Sequence, residues 1–344
     1  MSSKEKILVT GGDGLIGSAL IWALNEMGRE DIVVSGVLGR TEKWKNLVSL
    51  RFEDYLEADA LINVLDSSRL ADVRVIFHLG ACSDTTETDC SYLIQNNYEY
   101  TRRLAEWAVG SGRRFLYASS AATYGDGSAG MSDGDDNLSR LRPLNMYGYS
   151  KHLFDCHAKS RGWLDRIVGL KYFNIFGPNE KHKGQMRSVV HKAFDQIRST
   201  GKVQLFKSAH PDFRDGEQKR DFLYVKDAVD ATLHLAFTPK AAGLFNVGSG
   251  QASTWIELVT PIFEELALPV NIEFIDLPES LREKYQYYTR ADISRLRSTG
   301  WAGPQFSLSQ AVRDYVGRYL IPGLSLEPAL EPALEPKVKQ DVLQ

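Results

Sequence analysis

The stretch that most constrains the fold lies near the start of the chain, where an apolar run at 7–9 leads into glycines spaced G-x-x-G-x-x-G. The glycines are Gly11, Gly14 and Gly17, and apolar residues recur at helical spacing over 15–24. A buried strand, a glycine turn and a helix start are the context of a dinucleotide site. The turn brings backbone close to a pyrophosphate at the positive helix N-terminus. A strand–turn–helix without a ligand is the alternative that this motif alone leaves open.

The first half of the chain alternates between apolar strand-like runs and helical patterns. We predict strands at 31–35, 47–52, 73–80, 114–119 and 167–173, with helices between them. Such alternation favours an α/β fold with a doubly wound parallel Rossmann sheet, covered by helices on both faces. Its ligand is expected at the carboxyl ends of the strands.

Beyond residue 175 the elements become shorter and the loops longer, which predicts a smaller α/β substrate-binding lobe. We assign 1–175 to the dinucleotide-binding domain, with segments returning to it at about 220–250, and 176–320 to the interleaved lobe. In 321–344 the repeat L-E-P-A places a proline at every fourth residue, which removes helix hydrogen bonds. This segment is predicted to be a disordered tail.

Composition excludes several classes of partner. The formal net charge is -3, so the chain has no global basic field for nucleic acid or an anionic membrane. No apolar run is long enough to span a bilayer, and no room precedes the first strand for a signal peptide. The three cysteines are odd in number and form no C-x-x-C, which argues against a disulfide framework and a metal site. A reducing cytoplasm is the expected location.

Two groups of residues have the chemistry of an active site. Tyr147 and Lys151 are four residues apart at the start of a predicted helix, so their side chains share one face. A lysine ammonium beside a phenol favours phenolate and makes Tyr147 a candidate acid/base. Ser119 and Ser120 end a predicted strand, where a hydroxyl can donate to a substrate oxygen. An exposed helix face is the alternative for the tyrosine–lysine pair alone.

The glycine turn, the serine pair, the Y-x-x-x-K pair and the segment 171–178 follow one another in a particular order. In this the chain resembles the extended short-chain dehydrogenase/reductase family of nucleotide-sugar enzymes, over about residues 5–320. Segments 78–87, 117–125 and 179–186 narrow the resemblance to members that epimerise an ADP-linked heptose. The run His-Lys-Gly-x-Met within the last segment is its most specific part.

The resemblance implies a role for each matched position. Tyr147 and Lys183 would be the two acid/base groups, Ser120 a hydroxyl donor to substrate, and Lys151 the residue that holds the nicotinamide ribose. Cofactor contacts are implied for Gly11, Gly14, Leu15, Ile16, Gly17, Leu79, Gly80, Ala81, Cys82, Ser83, Asn96 and Ile175. Substrate contacts are implied for Asn174, Gln185, Lys192, Phe206, Lys207, Ser208, Arg220 and Tyr285. Arg220 suits a diphosphate, since a guanidinium makes paired charge-assisted hydrogen bonds.

The second predicted strand departs from the usual cofactor pattern. It ends in Ser35 and Gly36, where an acidic residue ordinarily receives the adenosine ribose, and Arg40 and Lys43 follow. A missing carboxylate with nearby cations favours NADP over NAD. An unusual NAD site is the alternative.

The resemblance implies an isomerase that oxidises C6″ of an ADP-heptose transiently, reduces it from the other face and so changes no net redox state. It implies a role in lipopolysaccharide inner-core heptose synthesis, and we expect a homo-oligomer. A UDP-hexose 4-epimerase is the nearest rival. A 4,6-dehydratase is disfavoured because Ala121 and Ala122 stand where those enzymes carry Asp-Glu. A non-catalytic nucleotide sensor is disfavoured because Tyr147 and Lys151 are both present.

Overall fold

The structure is a computed structural model that describes residues 5–279 and 285–329. Its strands, numbered in chain order, are β1 Lys6–Thr10, β2 Ile32–Gly36, β3 Asp54–Glu57, β4 Val73–His78, β5 Arg114–Ser120, β6 Val168–Tyr172, β7 Asn174–Phe176, β8 Val203–Phe206, β9 Lys219–Arg220, β10 Phe222–Tyr224, β11 Gly243–Val247, β12 Ser253–Thr254 and β13 Ile272–Ile275. Its helices are α1 Leu15–Glu26, α2 Ala58–Asn63, α3 Cys90–Leu93, α4 Tyr100–Gly110, α5 Met146–Ser160, α6 Val189–Thr200, α7 Val225–Ala236, α8 Trp255–Glu265, α9 Ser294–Ser298 and α10 Leu308–Tyr315.

Within the described residues, the central sheet has seven parallel strands in the order β11-β6-β5-β4-β1-β2-β3. The strand order reverses between β1 and β4, which opens a crevice at their carboxyl ends. Strands β2, β6 and β11 are buried along their whole length, because helices cover both faces of the sheet. The predicted doubly wound α/β fold is therefore confirmed.

Glycines set the distance between β1, β4 and α1. A Cβ on Gly11 would lie 2.5 Å from the backbone nitrogen of Gly80, which follows β4. A Cβ on Gly17 would lie 2.0 Å from the carbonyl oxygen of Gly11. Gly11 also has a φ of +67°, which favours glycine. Any side chain at these positions would push the first helix away from the strand edge.

The strand predicted at 47–52 is wrong. That segment forms turns, with the Leu50 amide donating to the Leu47 carbonyl at 3.1 Å, and β3 begins only at Asp54. Leu47 and Leu50 are both buried, and their spacing of three is that of a turn of 3₁₀-helix. The apolar residues are buried in turns and not in a strand, so their period was misjudged.

The smaller lobe is built on short strand pairs around the carboxyl edge of the sheet. β8 pairs with β13 and β7 with β10 in parallel, while β9 pairs antiparallel with β12. Between them, Gly243–Val247 returns to pair with β6 in the central sheet. The lobes thus exchange chain segments, while the domain boundaries assigned from the sequence stay predictions.

The segment after α10 docks on the body of the protein instead of leaving it. The Leu326 amide donates to the Asn179 side chain at 3.1 Å, and its carbonyl accepts from the Ser49 hydroxyl at 3.2 Å. The Leu326 side chain is only 1% exposed. The prediction that disorder begins at residue 321 is therefore wrong for 321–329, while 330–344 lie outside the described residues.

No helix in the ranges 5–279 and 285–329 is long and apolar enough to cross a membrane.

We predict that Leu326→Ala lowers the free energy of unfolding by about 2–4 kcal/mol, because it leaves a cavity beneath a docked segment. Chemical denaturation followed by circular dichroism measures the change. Leu324→Ala is the matched control, because this leucine is 55% exposed two residues earlier and its loss should change stability by less than about 0.5 kcal/mol. Equal effects of the two substitutions would contradict the docking.

Candidate active site

A cleft of about 860 Å³ opens at the carboxyl ends of β1, β4, β5 and β6, between the sheet and the smaller lobe. Most residues predicted for a site line it. They are Gly11, Gly14, Leu15, Ile16, Gly17, Lys43, Leu79, Gly80, Ala81, Cys82, Ser83, Asn96, Ser120, Tyr147, Lys151, Asn174, Ile175, Lys183, Arg220 and Tyr285. The fold thus brings together in one cavity residues that are up to 274 positions apart (285 − 11).

The end of the cleft beneath the glycine turn has the features of an anion site. Gly14 caps α1 in an extended conformation without any side-chain cap, and the first turn of α1 carries no acidic residue. The first amides of a helix have no partner within the helix, so these can point at a phosphate. The glycine backbones leave space that a Cβ would fill, and the cradle fits a dinucleotide pyrophosphate.

The loop after β4 forms the neighbouring wall and is held by Asn97. The Asn97 side chain accepts from the Cys82 amide at 2.9 Å and donates to the Cys82 carbonyl at 3.0 Å and to the Ser150 hydroxyl at 3.0 Å. Asn97 lies in a stretch of π-helix, Ile94–Glu99, between α3 and α4. Such a bulge turns adjacent side chains in different directions, and here it leaves Asn96 facing the cleft.

Tyr147 and Lys151 lie on one face of α5, as predicted from their spacing. Asn145 caps this helix by accepting from the Gly148 amide at 2.8 Å. The Lys151 ammonium donates to the Ala118 carbonyl of β5 at 2.8 Å, and burial lowers the pKa of Lys151 to about 8. The helix therefore presents both side chains to the strand end that carries Ser120.

The expected lowering of the Tyr147 pKa is not met. Burial raises the pKa of Tyr147, and a hydrogen bond with the Ser120 side chain offsets only part of that rise. The Lys151 ammonium is itself desolvated and held by Ala118. The phenol is thus protonated at neutral pH, in the state required of a proton donor.

A buried network beneath the cleft fixes the end of β5. Asp155 of α5 accepts from the Tyr117 hydroxyl, the Ser119 hydroxyl and the Lys171 ammonium, each at 2.8 Å. Lys171 and Asp155 are at most 1% exposed, and Lys171 also donates to the Thr123 hydroxyl at 2.7 Å. A buried charge pair of this kind requires satisfied partners on both sides. Because both charged groups have hydrogen-bond partners, the network holds α5, β5 and β6 in one arrangement.

Lys183 enters the cleft from the opposite direction, on a 3₁₀ segment, Lys181–Met186, after β7. Gly184 breaks this segment with a φ of +55°. The neighbouring His182 contacts the Asn46 side-chain nitrogen at 3.1 Å, which ties this segment to the loop after β2. Burial lowers the pKa of Lys183, and the charge of nearby Glu180 opposes this. Its amine is thus more easily deprotonated than an ordinary lysine.

Arg220 lies at the end of the cleft on the smaller lobe. It is 7% exposed, its guanidinium lies over the rings of Trp255 and Tyr285, and burial lowers its pKa to about 10. Its described hydrogen bonds go to the carbonyls of Lys219 and Gln286. Among the residues that the structure describes, no carboxylate forms an ion pair with it. A buried cation without a counter-ion is suited to an anionic ligand.

Six predicted residues do not line the cleft; these are Arg40, Gln185, Lys192, Phe206, Lys207 and Ser208. Arg40 is exposed in the loop after β2. Lys207 is exposed and pairs with Asp276 at 3.0 Å, and Ser208 accepts from the His210 amide within the loop 209–218. Phe206 contacts the ring of Tyr285 and so supports the cleft from outside. Arg40 was predicted from its charge after the second strand, and the other five positions by resemblance alone.

Several lining residues were missed by the sequence analysis; these include Asp13, Tyr92, His182, Met186, Gln286 and Thr289. Two stand within motifs already recognised, since Asp13 lies inside the glycine turn and His182 beside Lys183. A carboxylate between phosphate-binding glycines is the signal that could have identified Asp13. Metal-ligand clusters are absent from the part of the chain that the structure describes.

Comparisons with known proteins agree with this geometry. The profile of the NAD dependent epimerase/dehydratase family matches residues 7–248. An ADP-L-glycero-D-manno-heptose-6-epimerase of Nitratidesulfovibrio vulgaris is 52% identical over 314 residues, which are 91% of this chain and 97% of the relative. One of Fusobacterium nucleatum is 41% identical over 324 residues, 91% of this chain and 98% of the relative.

A solved structure extends the comparison to three dimensions. The crystal structure of the Helicobacter pylori ADP-L-glycero-D-manno-heptose-6-epimerase superimposes with a TM-score of 0.75 at 29% identity, covering 91% of this chain and 96% of that one. The resemblance inferred from the sequence motifs is confirmed.

We predict that Lys183 is acylated at lower pH than Lys207, because burial lowers the pKa of Lys183 whereas a hydrogen bond with Asp276 raises that of Lys207. Only the neutral amine reacts, so each lysine's labelling rises as pH approaches its pKa. Trace acetic anhydride labelling across a pH series, quantified by peptide mass spectrometry, compares the two. A higher labelling midpoint for Lys183 than for Lys207 would contradict the assigned environment.

Proposed function

We propose that this chain, which belongs to the NAD dependent epimerase/dehydratase family, interconverts ADP-D-glycero-D-manno-heptose and ADP-L-glycero-D-manno-heptose. Relatives of that name at 41% and 52% identity span nine tenths of its length. The observation that carries the proposal is the cleft in which Tyr147 and Lys183 approach from separate elements. The reaction inverts C6″ and serves lipopolysaccharide inner-core heptose synthesis.

The residues of the cleft fit a nicotinamide dinucleotide. The start of α1 would hold the pyrophosphate through the amides of Leu15 and Ile16, and Lys151 would hold the nicotinamide ribose. When bound, the dinucleotide supplies an acceptor and then a donor of hydride at C6″. Because the same hydride returns, the reaction has no net change of oxidation state.

Tyr147 and Lys183 are proposed as the two acid/base groups. Oxidation at C6″ removes a proton from its hydroxyl, and reduction from the other face returns one to the oxygen. One rigid group serves two opposite faces poorly, whereas α5 and the segment after β7 present two groups from different sides. Lys183 is suited to accept a proton, because burial lowers its pKa. A phosphate contact is the alternative role for Lys183.

Ser120 and Arg220 are proposed to hold the substrate at its two ends. Ser120 lies within hydrogen-bonding reach of Tyr147 and can donate to the C6″ oxygen. Arg220 offers a buried guanidinium to the diphosphate. Asn174 and Tyr285 line the cleft between these ends and are proposed substrate contacts. Gln185, Lys192, Phe206, Lys207 and Ser208 are not included, since they lie outside the lining.

The end of β2 bears on which form of the dinucleotide the cleft binds. NADP is the form we propose, because β2 itself ends in Ser35 and Gly36 without a carboxylate and Lys43 lines the cleft beside them. NAD is the alternative, which the carboxylate of Asp13 beside Gly36 would favour. A homo-oligomer and a cytoplasmic location stay predictions.

The substrate assignment is tested by incubating the protein with ADP-D-glycero-D-manno-heptose and, separately, with UDP-glucose. We expect the heptose epimers to equilibrate while UDP-glucose stays unchanged, as followed by proton NMR of each sugar. Appearance of UDP-galactose without heptose epimerisation would establish the rival 4-epimerase activity.

We predict that Tyr147→Phe and Lys183→Met each lower kcat for heptose epimerisation by ~10²–10⁴-fold, the usual loss for a positioned acid or base. The double variant should lose little beyond the worse single one, because both groups act in one cycle. The same NMR assay measures all three rates, and thermal unfolding verifies the fold.

Matched controls lie next to both residues. Tyr149→Phe changes an exposed tyrosine of α5, and Lys181→Met an exposed lysine of the segment that carries Lys183. Both should stay within about twofold of the parent rate. Near-parental epimerisation by Lys183→Met would disprove the two-group assignment and leave Lys183 as at most a phosphate contact.

A further inference from the structure

Asn179 lies where three parts of the chain meet, four residues before Lys183. It is 6% exposed and has a φ of +73°, a left-handed conformation that asparagine adopts more readily than most residues. The carbonyl of the next residue, Glu180, accepts from the Lys183 amide at 2.9 Å. Asn179 and Glu180 thus begin the turn that carries Lys183, and the place of that lysine depends on how the two residues are held.

The polar atoms of Asn179 are bonded to three separate segments. Its Nδ2 donates to the Ser18 hydroxyl near the start of α1 at 3.0 Å. Its Oδ1 accepts from the Leu326 amide at 3.1 Å. Its backbone carbonyl accepts from the side chain of Asn46, in the loop after β2, at 3.1 Å. The first helix, that loop and the C-terminal segment therefore all contact one buried residue.

Residues 324–329, here called the C-terminal strap, supply one of these contacts. The Trp22 indole of α1 donates to the Glu327 carbonyl of the strap at 3.2 Å. The side chain of Leu326 is buried between these contacts and the protein body. The strap is thus attached along α1, and it directs the Leu326 amide at Asn179.

Glu180 holds the same turn from the side of the smaller lobe. Its carboxylate is 1% exposed and accepts from the Ser188 amide at 2.6 Å and from the Tyr315 hydroxyl at 3.0 Å. Ser188 caps α6, and Tyr315 is the last residue of α10. The turn before Lys183 is therefore anchored on both sides, with Asn179 as the anchor toward α1.

We propose that Asn179 is a positioning residue for Lys183 and that the C-terminal strap completes its anchorage. The inference rests on the proposed function, in which Lys183 is one of two acid/base groups. Without the Leu326 amide, Oδ1 of Asn179 would become a buried acceptor without this partner, which is an unfavourable state. The turn would then relax and move the Lys183 amine, and a misplacement of about 1 Å can cost ~10²-fold in rate.

The first variant is Asn179→Gly, because glycine accepts the positive φ while both side-chain hydrogen bonds are lost. We expect kcat for heptose epimerisation to fall ~10–50-fold, less than the loss of the acid/base group itself. KM should stay within about twofold, because Arg220 at the other end of the cleft is unchanged. Proton NMR of the heptose epimers measures both constants, and thermal unfolding verifies the fold.

Two readouts distinguish positioning from a general structural role. In the Lys183→Met background, Asn179→Gly should lower the remaining rate by less than about twofold, because it acts through the missing amine. A general loss of folded protein would lower the rate equally in both backgrounds. Acetic anhydride labelling gives the second readout. Its midpoint for Lys183 should rise toward that of an ordinary lysine as water reaches the amine, while that of Lys207 stays unchanged.

Matched variants test the strap itself. Leu326→Ala undocks it and should lower kcat and raise the Lys183 labelling midpoint in the same direction as Asn179→Gly. Leu324→Ala, in the same strap but exposed, should leave both unchanged. Ser49→Ala removes the other hydrogen bond of Leu326 without touching Asn179 and should keep kcat within about twofold. If Asn179→Gly fails to fold, Leu326→Ala carries the test.

Parental kcat and an unchanged midpoint in Asn179→Gly, or equal losses in the two backgrounds, would overturn the inference while the epimerase proposal stands. A parental kcat in Leu326→Ala would overturn the role of the strap. Near-parental epimerisation by Lys183→Met would overturn the inference together with the two-group assignment on which it rests.

Discussion

The close approach of three backbone segments at Gly11, Gly17 and Gly80 is the constraint on which the rest of the structure depends. A side chain at Gly17 would lie 2.0 Å from a carbonyl oxygen, so β1, β4 and α1 meet only because glycine has no Cβ. That convergence places the amides of α1 at the crevice where the strand order reverses. It also brings the Asp13 carboxylate against Gly36 of β2.

The end of the cleft that carries Tyr147 depends on a different interaction, the buried pairing of Lys171 with Asp155. Three donors from β5 and β6 converge on the Asp155 carboxylate and link both strands to the middle of α5. Tyr147 and Lys151 precede Asp155 on the same helix, so their approach to Ser120 follows from this anchorage. The pair thus positions the side chains proposed to act on the substrate without lining the cleft itself. Its cost of burial is offset by its hydrogen bonds.

Local patterns predicted much of the fold and the centre of the site. The glycine spacing, the four-residue separation of Tyr147 and Lys151, and the serines at a strand end all identified residues that line the cleft. The apolar run at 47–52 fits the spacing of either a strand or a 3₁₀ turn, and the strand prediction was wrong. The repeat predicted to be disordered buries Leu326. Lys192 and Lys207, expected at the cleft, do not line it, because a lysine's position in sequence does not tell which way its side chain points.

What the sequence by itself determined is the set of local geometries: a strand, a glycine turn and a helix start, and one helix face that carries a tyrosine and a lysine. These depend on residues within a few positions of one another, so spacing alone encodes them. Only the tertiary structure decided which distant groups share a space. Asp13 and Gly36 are 23 positions apart (36 − 13) and carry no local sign of contact, yet the carboxylate of one fills the volume that the other leaves empty. Complementary volumes of this kind arise from packing, which sequence spacing does not describe.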